Sequence, residues 1–472
     1  MAKKTCTNTV RIEPVDRISS LPDDVLVRIL SFVPTEQAVT TSFLSKRWKS
    51  LWTIIPILDF DFARFSKKFN ALSLDDQKRR FLDFVEHVFF HYEPKPLQKL
   101  RLAFPIAKFN NYISKATLLV KLAMRSNCLT LDLNFVSPGS IMLFPEWYDL
   151  YALPPCFFPH QSVSQLNLAG CKFVPSFVQL QRDSVSDLVS KCPCLEELRL
   201  LNCTVRSSSF KIIAPESNLK CLVLQSCSGN GGLPFKRASI RIPTLSQLKF
   251  DGSLKGYLSI SNSENLIKVG IDIFLRSPRA LKLVCKLLKD LCNLKSLTLF
   301  SGNLQVLNTD GGISLLTPLN SLRHLTVKLK QTDKELLGLI CLLRSSPYLE
   351  TLSVDFAAED GLEMYNVVDE DVVDEEAVGQ LHLLPSDCVA HLMKIKIKNF
   401  FGLKFEMEFV ELILRSSLCL KEMVVNIKSR YYHLKWRMGK EHYMALKRKK
   451  ANTIRRLFGC KRASLDAQIL VE

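Results

Sequence analysis

The sequence contains no long apolar segment of the kind that crosses a membrane. No run approaches the roughly eighteen apolar residues that a transmembrane helix needs, and the first residues, Met1 to Asn8, lack the hydrophobic stretch of a secretory signal peptide. These absences exclude membrane-spanning and secreted proteins, so we expect a soluble intracellular protein. The 15 cysteines are accordingly expected as reduced thiols and not as a disulfide framework.

The chain also lacks the short motifs that mark common catalytic sites. There is no Gly-x-Ser-x-Gly or His-Glu-x-x-His, and the Gly229–Gly232 segment is not followed by the Lys-Ser/Thr pair of a phosphate-binding loop. Cys192 and Cys194 stand close together, but no second pair follows at zinc spacing. A thioester-forming ligase would need an activated cysteine, whereas nearly every cysteine fits a strand, a turn or a helix core. We therefore expect a non-enzymatic protein without cofactor or metal.

Basic residues outnumber acidic ones, 64 against 46, which gives a formal net charge of +18. Such an excess raises nucleic acid as a partner, but much of it falls between Lys428 and Arg462, and this uneven distribution argues against that partner. The run Lys447-Arg448-Lys449-Lys450 has two interpretations. It is a solvated helix face or a nuclear localisation signal, and we expect the protein in the nucleus, the cytoplasm or both.

The N-terminal residues 16–60 have the pattern of a small helical module. Leu26, Ile29, Leu30 and Val33 follow the spacing of one helix face, and Pro34 predicts the end of that helix. Three short helices in about forty residues cannot bury so many large apolar side chains among themselves, so part of the surface should contact another protein. The candidates for this contact, or for the core beneath it, are Leu21, Pro22, Ile29, Leu30, Leu44, Trp48 and Trp52.

From Leu97 onward the chain repeats the pattern Leu-x-x-Leu-x-Leu. Clear copies lie at 195–203 and 219–227, each with a cysteine three residues beyond its last leucine. The copies recur at roughly 21 to 35 residues, within or just above the leucine-rich-repeat range. Alternating leucines place one side of a short strand in a core, and segments such as 112–125 and 333–345 have helical periodicity. We therefore expect an α/β protein in which an irregular leucine-rich-repeat horseshoe solenoid has parallel strands and convex helices.

Together these patterns resemble a known family. Leu21-Pro22, Ile29-Leu30 and the segment from Leu44 to Trp52 resemble the F-box, a three-helix module that docks on the Skp-type adaptor of cullin-based ubiquitin ligases. The block after the longest gap between repeats, with Arg462-Ala463-Ser464, resembles the FBD domain. The chain is thus similar to the plant F-box/FBD/leucine-rich-repeat family. The resemblance implies a substrate-recruiting adaptor that binds a Skp-type adaptor, through it a cullin, and an unknown target protein for ubiquitination.

The predicted organisation has six parts. They are a flexible N-terminus (1–15), an F-box (16–60), a helical linker or cap (61–96), leucine-rich repeats (97–357), an acidic loop (358–382) and an FBD domain (383–465). Two other function classes stay open at this point. One is a basic nucleic-acid-binding repeat protein, and the other is a scaffold whose F-box no longer engages a ligase.

The strand residues that lie between the leucines are expected to line the concave face of the solenoid. This face becomes more basic toward the C-terminus, which predicts an acidic or phosphorylated target segment there. The alternative is that these lysines are solvated, or are neutralised by the acidic loop. The candidate target-binding residues are Lys99, Arg101, Arg199, Lys249, His324, Lys328, Lys394, Lys396 and Lys398.

Overall fold

A computed structural model describes residues 18, 20–93, 95–105, 111–136, 150–153, 161–173, 184–261, 264–274, 287–288, 291, 293–305, 307, 318–329, 333–356, 389–427 and 440–472. The chain divides into two compact units, Met1–Leu133 and Asn134–Glu472. The predicted flexible N-terminus (1–15) and acidic loop (358–382) lie outside the described residues.

Unit 1 begins with the three short helices that the sequence predicts, α1 (Asp23–Leu30), α2 (Thr35–Thr40) and α3 (Trp48–Leu51). Pro22 precedes α1, where its missing N–H costs nothing, and Asp23 in the first turn suits the positive end of the helix dipole. α1 ends at Leu30, earlier than the predicted end at Pro34. A turn begins at Ser31, so Val33 lies beyond the helix.

The rest of unit 1 consists of β1 (Ile57–Asp61), α4 (Phe62–Ser66), α5 (Leu74–His91), β2 (Leu97–Ala103), α6 (Ile113–Arg125) and β3 (Cys128–Asn134). The Ser73 hydroxyl caps α5 by accepting the Asp76 N–H at 3.1 Å, and this helix lies within the predicted helical linker or cap (61–96). β1 and β2 pair in parallel with Leu58 opposite Leu100, and β3 is the next strand. The first repeats therefore share a compact unit with the N-terminal helices.

Unit 2 has a parallel sheet in which strands follow one another in chain order, as a stacked repeat requires. Leu198 lies opposite both Leu166 and Leu222, so the leucine positions remain aligned from strand to strand. The strands of unit 2 are β4 (Tyr151–Ala152), β5 (Gln165–Ala169), β6 (Cys171–Phe173), β7 (Glu197–Leu201), β8 (Thr204–Val205), β9 (Ser209–Ile213), β10 (Cys221–Gln225), β11 (Phe235–Arg241), β12 (Gln247–Ser261), β13 (Lys268–Phe274), β14 (Ser296–Phe300), β15 (His324–Leu329), β16 (Thr351–Phe356), β17 (Lys394–Phe400), β18 (Glu422–Ile427) and β19 (Gln468–Val471).

Helices occupy several of the segments between these strands, as predicted. They are α7 (Ser184–Lys191), α8 (Ser301–Gln305), α9 (Asp333–Arg344), α10 (Lys404–Ser416) and α11 (Lys440–Gly459).

Between residues 204 and 261 strands take the place of the expected helices. β9, β11 and the second half of β12 form a further parallel sheet, in which Ile240 lies opposite both Ile212 and Ile260. The physical reason is visible in the sequence, because apolar residues alternate with period two in β9 and β11 and bury one side of each strand. Gly256 permits close pairing here, since an added Cβ would lie 1.8 Å from the carbonyl oxygen of Lys236.

Cysteines close the turn after several strands. Asn202 and Ser226 adopt positive φ values of 49° and 51°, and the next residues, Cys203 and Cys227, turn inward and are buried. The Cys227 thiol lies 3.3 Å from the carbonyl oxygen of Leu200 in the neighbouring repeat. Burial raises the pKa of the Cys203 thiol well above its ordinary value. These thiols are structural, as the repeat pattern predicts.

Candidate functional site

Helix α1 carries more apolar surface than the core covers. Leu26 and Leu30 are buried, whereas Val25 and Ile29 are exposed beside them, and Phe32 in the following turn is 81% exposed. Val25 and Ile29 are four residues apart and lie on one side of the helix, and Phe32 follows in the turn directly after the helix ends. Only some of the apolar side chains of this segment are therefore buried in the core, and the others are exposed to solvent.

The turn after α2 adds to this exposed surface. Phe43 is 89% exposed and its neighbour Leu44 is also exposed. Exposed apolar side chains of this size, several in one small module, are typical of a surface that another protein covers. We name the exposed set the apolar face, and it consists of Ile18, Pro22, Val25, Ile29, Phe32, Phe43 and Leu44.

The apolar face shares Pro22, Ile29 and Leu44 with the predicted contact residues but differs in its other members. Ile18, Val25, Phe32 and Phe43 were missed, although the spacing from Val25 to Phe32 and the Phe43-Leu44 pair are signals that could have identified them.

Three of the predicted residues occupy the core beneath the contact, which is the second of the two places that the sequence allowed them. Leu30, Trp48 and Trp52 are buried, with the two tryptophans only 7% and 6% exposed. A four-residue α3 offers little else to fill the space beneath α1, so both indoles pack inward. Leu21 is half-buried. These residues support the apolar face from below.

Arg47 connects the two ends of the N-terminal module. Its guanidinium donates to the Asp23 carboxylate at 2.7 Å and to the carbonyl oxygen of Leu21. These bonds tie the start of α1 to the residue before α3. Arg47, which belongs to the Leu44–Trp52 segment, therefore helps to position the residues of the apolar face.

Arg101 of unit 1, predicted to bind a target, is instead held by an ion cluster. Its guanidinium lies 2.9 Å from the Asp59 carboxylate, 3.0 Å from that of Asp61 and 3.6 Å from that of Asp132. Arg64 also contacts Asp59 at 3.0 Å. Burial alone would raise the pKa of Asp59, but the hydrogen bonds from both arginines outweigh it and hold that pKa below its ordinary value.

The negative charge of Asp132 is less fully compensated than that of Asp59, because Arg101 lies farther from it. Burial raises the pKa of its carboxyl group, and the attraction of Arg101 and Lys99 offsets only part of that shift. Lys99 and Arg101 thus face carboxylates of their own unit. Arg101 is therefore not a free cation at the start of the predicted basic face, and the target-binding role of Lys99 stays a prediction.

In unit 2 the structure brings Lys394, Lys396 and Lys398 together as exposed residues on the outer side of β17. Neighbouring strands place carboxylates next to them, since Asp355 pairs in register with Lys398 and Glu422 lies 3.3 Å from Lys394. The predicted basic surface therefore exists, but its charge is partly offset. This offset comes from adjacent strands, and the predicted contribution of the acidic loop (358–382) lies outside the described residues.

The other predicted target residues of this sheet are already in contact with neighbours. The Lys328 ammonium lies 4.6 Å from the centre of the Phe300 ring, and the His324 ring is 2.7 Å from the Thr351 hydroxyl. Arg199 pairs with Glu197. Lys249 attracts the Asp251 carboxylate, whose pKa is nevertheless raised by burial.

Comparison with known proteins agrees with this architecture. The F-box domain family matches residues 18–59, and the family described as "At1g61320/AtMIF1, LRR domain" matches residues 153–457. The chain belongs to the plant F-box/LRR-repeat family. The repeat match of this F-box/LRR protein continues past residue 383, where the sequence predicts the FBD domain to begin.

Several relatives come from Arabidopsis thaliana. The putative F-box/LRR-repeat protein At3g58880 is 28% identical over 94% of this chain and 97% of its own length. The putative F-box/LRR-repeat protein At3g18150 is 25% identical over 90% and 89%. The FBD-associated F-box protein At3g52670 is 27% identical over 54% and 58%. The similarity to the first two runs through nearly the whole chain.

Neither a metal-binding group of side chains nor a membrane-spanning helix is found among the residues of this F-box/LRR protein that the structure describes. Among those residues no three His, Cys, Asp or Glu side chains are grouped to hold a metal ion. No helix in the same ranges has both the length and the apolar content to cross a bilayer.

Proposed function

We propose that this F-box/LRR protein is the substrate-recruiting subunit of a Skp-cullin-F-box ubiquitin ligase. In this proposal the apolar face docks on the Skp-type adaptor, which connects the chain to a cullin. The repeats hold a target protein. The observation that carries the proposal is that Phe32 and Phe43 are more than four-fifths exposed within a region that matches the F-box family.

The energetic argument follows from the exposed surface. Transfer of a large apolar side chain from water into an interface contributes about 1.5–3 kcal/mol, and a stable interface buries roughly 800 Å² on each partner. Two phenylalanines with flanking Ile29 and Leu44 can provide the centre of such an interface. The polar bonds of Arg47 hold this surface in shape before binding, so little conformational entropy is lost.

The F-box is also joined firmly to the residues that follow it in unit 1. The Thr35 hydroxyl accepts the Asp59 N–H at 2.7 Å, and the buried Glu36 pairs with Arg64 at 2.8 Å. These bonds connect α2 to β1 and α4. A rigid join suits an adaptor, because acceleration by an adaptor comes from holding reactants in proximity.

In this proposal the chain itself makes and breaks no bond. Burial raises the pKa of the Cys203 thiol, so this cysteine is not an activated nucleophile. We further propose that the target carries an acidic segment that contacts Lys396 and Lys398, two exposed lysines of β17 that form no ion pair with other described residues.

The adaptor contact can be tested by replacing exposed residues without touching the core. We expect Phe43→Glu to weaken binding of the purified Skp-type adaptor by about 30-fold or more, because loss of an interface hot spot costs about 2 kcal/mol or more. Titration calorimetry measures the affinity, and thermal unfolding checks the fold. Phe90→Glu is the matched control, since Phe90 is 83% exposed in α5 of the same unit.

Two outcomes would contradict the assignment. One is an unchanged adaptor affinity in Phe43→Glu, and the other is an equal loss in Phe90→Glu. Trp48→Ala shows how a core substitution differs from a surface substitution. Loss of the buried indole should lower the thermal midpoint as well as adaptor binding.

A further inference from the structure

The sheet formed by β9, β11 and residues 254–261 of β12 has an outer face with charge of one sign. These three strand segments carry Lys211, Lys236, Arg237, Arg241 and Lys255, and they contain no Asp or Glu. All five basic residues are exposed. Among the described residues none of them forms an ion pair. This contrasts with the main sheet, where carboxylates stand next to the lysines.

The strand register arranges the basic residues around hydroxyl groups. Ser239 on the central strand lies opposite Lys211 on one side and Ser259 on the other. Arg237 and Arg241 flank this row along β11, with Ser209 and Ser261 opposite them. Strands lie about 4.8 Å apart, so the cations surround a patch of serine hydroxyls roughly 10 Å wide.

The inner side of this sheet is fully used by the fold. Phe210 and Phe235 are buried with their ring centres 5.3 Å apart, and Ile212 and Ile240 are buried beside them. The alternation of strand residues therefore directs the basic side chains away from the core.

The outer edge of β9, which has no neighbouring strand among the described residues, is covered at Lys211 and Ile213 by a side chain of α7. The Ser186 hydroxyl of α7 accepts the N–H of Ile213 and donates to the carbonyl oxygen of Lys211, both at 3.1 Å. A partner that adds a strand would have to displace these bonds. The face of the sheet, and not this part of its edge, is the available surface.

We infer that this surface, which we name the basic sheet face (Lys211, Arg237, Arg241 and Lys255), binds a phosphorylated or acidic protein segment. Cations held near one another on one sheet face repel by Coulomb's law, and a bound anion relieves that repulsion. A phosphoserine supplies close to two negative charges and three acceptor oxygens. Those oxygens can accept hydrogen bonds from guanidinium, ammonium and serine hydroxyl groups together.

The aromatic content of the face favours a protein segment over a nucleic acid. Tyr257 is the aromatic side chain that these described strands expose, and the Arg237 guanidinium already lies 5.1 Å from the centre of its ring. Single-stranded nucleic acid binds on uncovered aromatic platforms. Double-stranded DNA is read by elements that enter its grooves, which a flat sheet face does not do.

This binding surface is separate from both contacts of the proposed function, so the inference does not depend on them. The test uses the full-length chain and fluorescence anisotropy with a labelled phosphoserine-rich peptide. Peptides of the same sequence with Asp or Gln in place of phosphoserine, and an oligothymidylate, are the comparison probes. We expect binding of the phosphoserine peptide, weaker binding of the Asp peptide and a decrease as salt is raised.

The decisive variant is Lys211→Glu with Arg241→Glu, which leaves the Arg237–Tyr257 contact in place. We expect about tenfold or greater loss of phosphopeptide affinity. Lys447→Glu with Lys450→Glu, on the exposed side of α11, is the matched control and should change affinity far less. If the double Glu variant does not fold by circular dichroism, Lys211→Gln with Arg241→Gln tests the same charges.

Three results would overturn the inference. The first is equal affinity of the wild-type chain and the folded charge variant for the phosphoserine peptide. The second is equal binding of the Gln peptide, which would show that charge is not recognised. The third is tighter binding of oligothymidylate that is lost in the same variant, which would assign the face to nucleic acid.

Discussion

Replacement of Arg101 by alanine should reveal how strongly the ion cluster stabilises unit 1. Arg101 is 23% exposed and contacts the carboxylates of Asp59 and Asp61 at 2.9 and 3.0 Å. Exposed ion pairs contribute about 0–1 kcal/mol, whereas loss of one partner of a buried pair costs about 3–5 kcal/mol. The half-buried Arg101 lies between these limits. We expect Arg101→Ala to lower the free energy of unfolding of unit 1 by about 2 kcal/mol at neutral pH.

The pH dependence of this loss provides a second test. The pKa of Asp59 is lowered in the folded state, so its stabilisation is present above the unfolded pKa of about 3.9 and is lost only as pH falls through the lower folded value. Asp132 has a raised pKa, and its ionisation opposes folding as pH rises through that value. Without Arg101 the pKa of Asp132 should rise further. The loss in free energy of unfolding caused by Arg101→Ala should therefore become smaller as pH is lowered toward about 4.

Tryptophan fluorescence during urea unfolding can measure this effect in unit 1. The chain has 4 tryptophans, and a background of Trp147→Phe with Trp436→Phe leaves Trp48 and Trp52 as reporters buried in unit 1. Arg79→Ala is the matched control, because Arg79 is largely exposed and pairs with Asp76 within one helix. A deficit below about 0.5 kcal/mol, or one that does not change with pH, would refute the reasoning.

Three further predictions concern unit 2. Gly338→Ala should lower its thermal midpoint, because the new Cβ would lie 2.1 Å from the carbonyl oxygen of Leu304. Gly302→Ala is the control, since its Cβ would lie at an ordinary contact distance of 3.8 Å from the carbonyl oxygen of Ile273. Charge reversal at Lys394, Lys396 and Lys398 should weaken the binding of an acidic target protein. Unchanged affinity and salt dependence would show that these lysines are not the target-binding surface. Changing Lys447-Arg448-Lys449-Lys450 to four alanines should leave a fluorescent fusion where it was, since these residues are spread around α11; movement out of the nucleus would support a localisation signal.

Local patterns in the chain predicted most of the regular structure. The leucine spacing is sufficient for the parallel strands, because residues that alternate along a strand meet the core whatever the neighbouring repeat is. The α5 and α9 helices follow in the same way from their periodicity and flanking signals. The second sheet was missed because a typical repeat was expected, although its period-two pattern is also local.

The distribution of the candidate sites could not be predicted from local patterns. Trp48 and Phe43 are both large and apolar, yet one is buried and the other is exposed, because burial depends on which distant side chains fill the space around them. Arg101 has its charge compensated by residues about forty positions earlier in the chain. The sequence by itself determined the repeating strands and the F-box helices. Only the tertiary structure decided which apolar residues and which charges remain available, since solvent exposure and ion pairing are set by contacts between segments far apart in sequence.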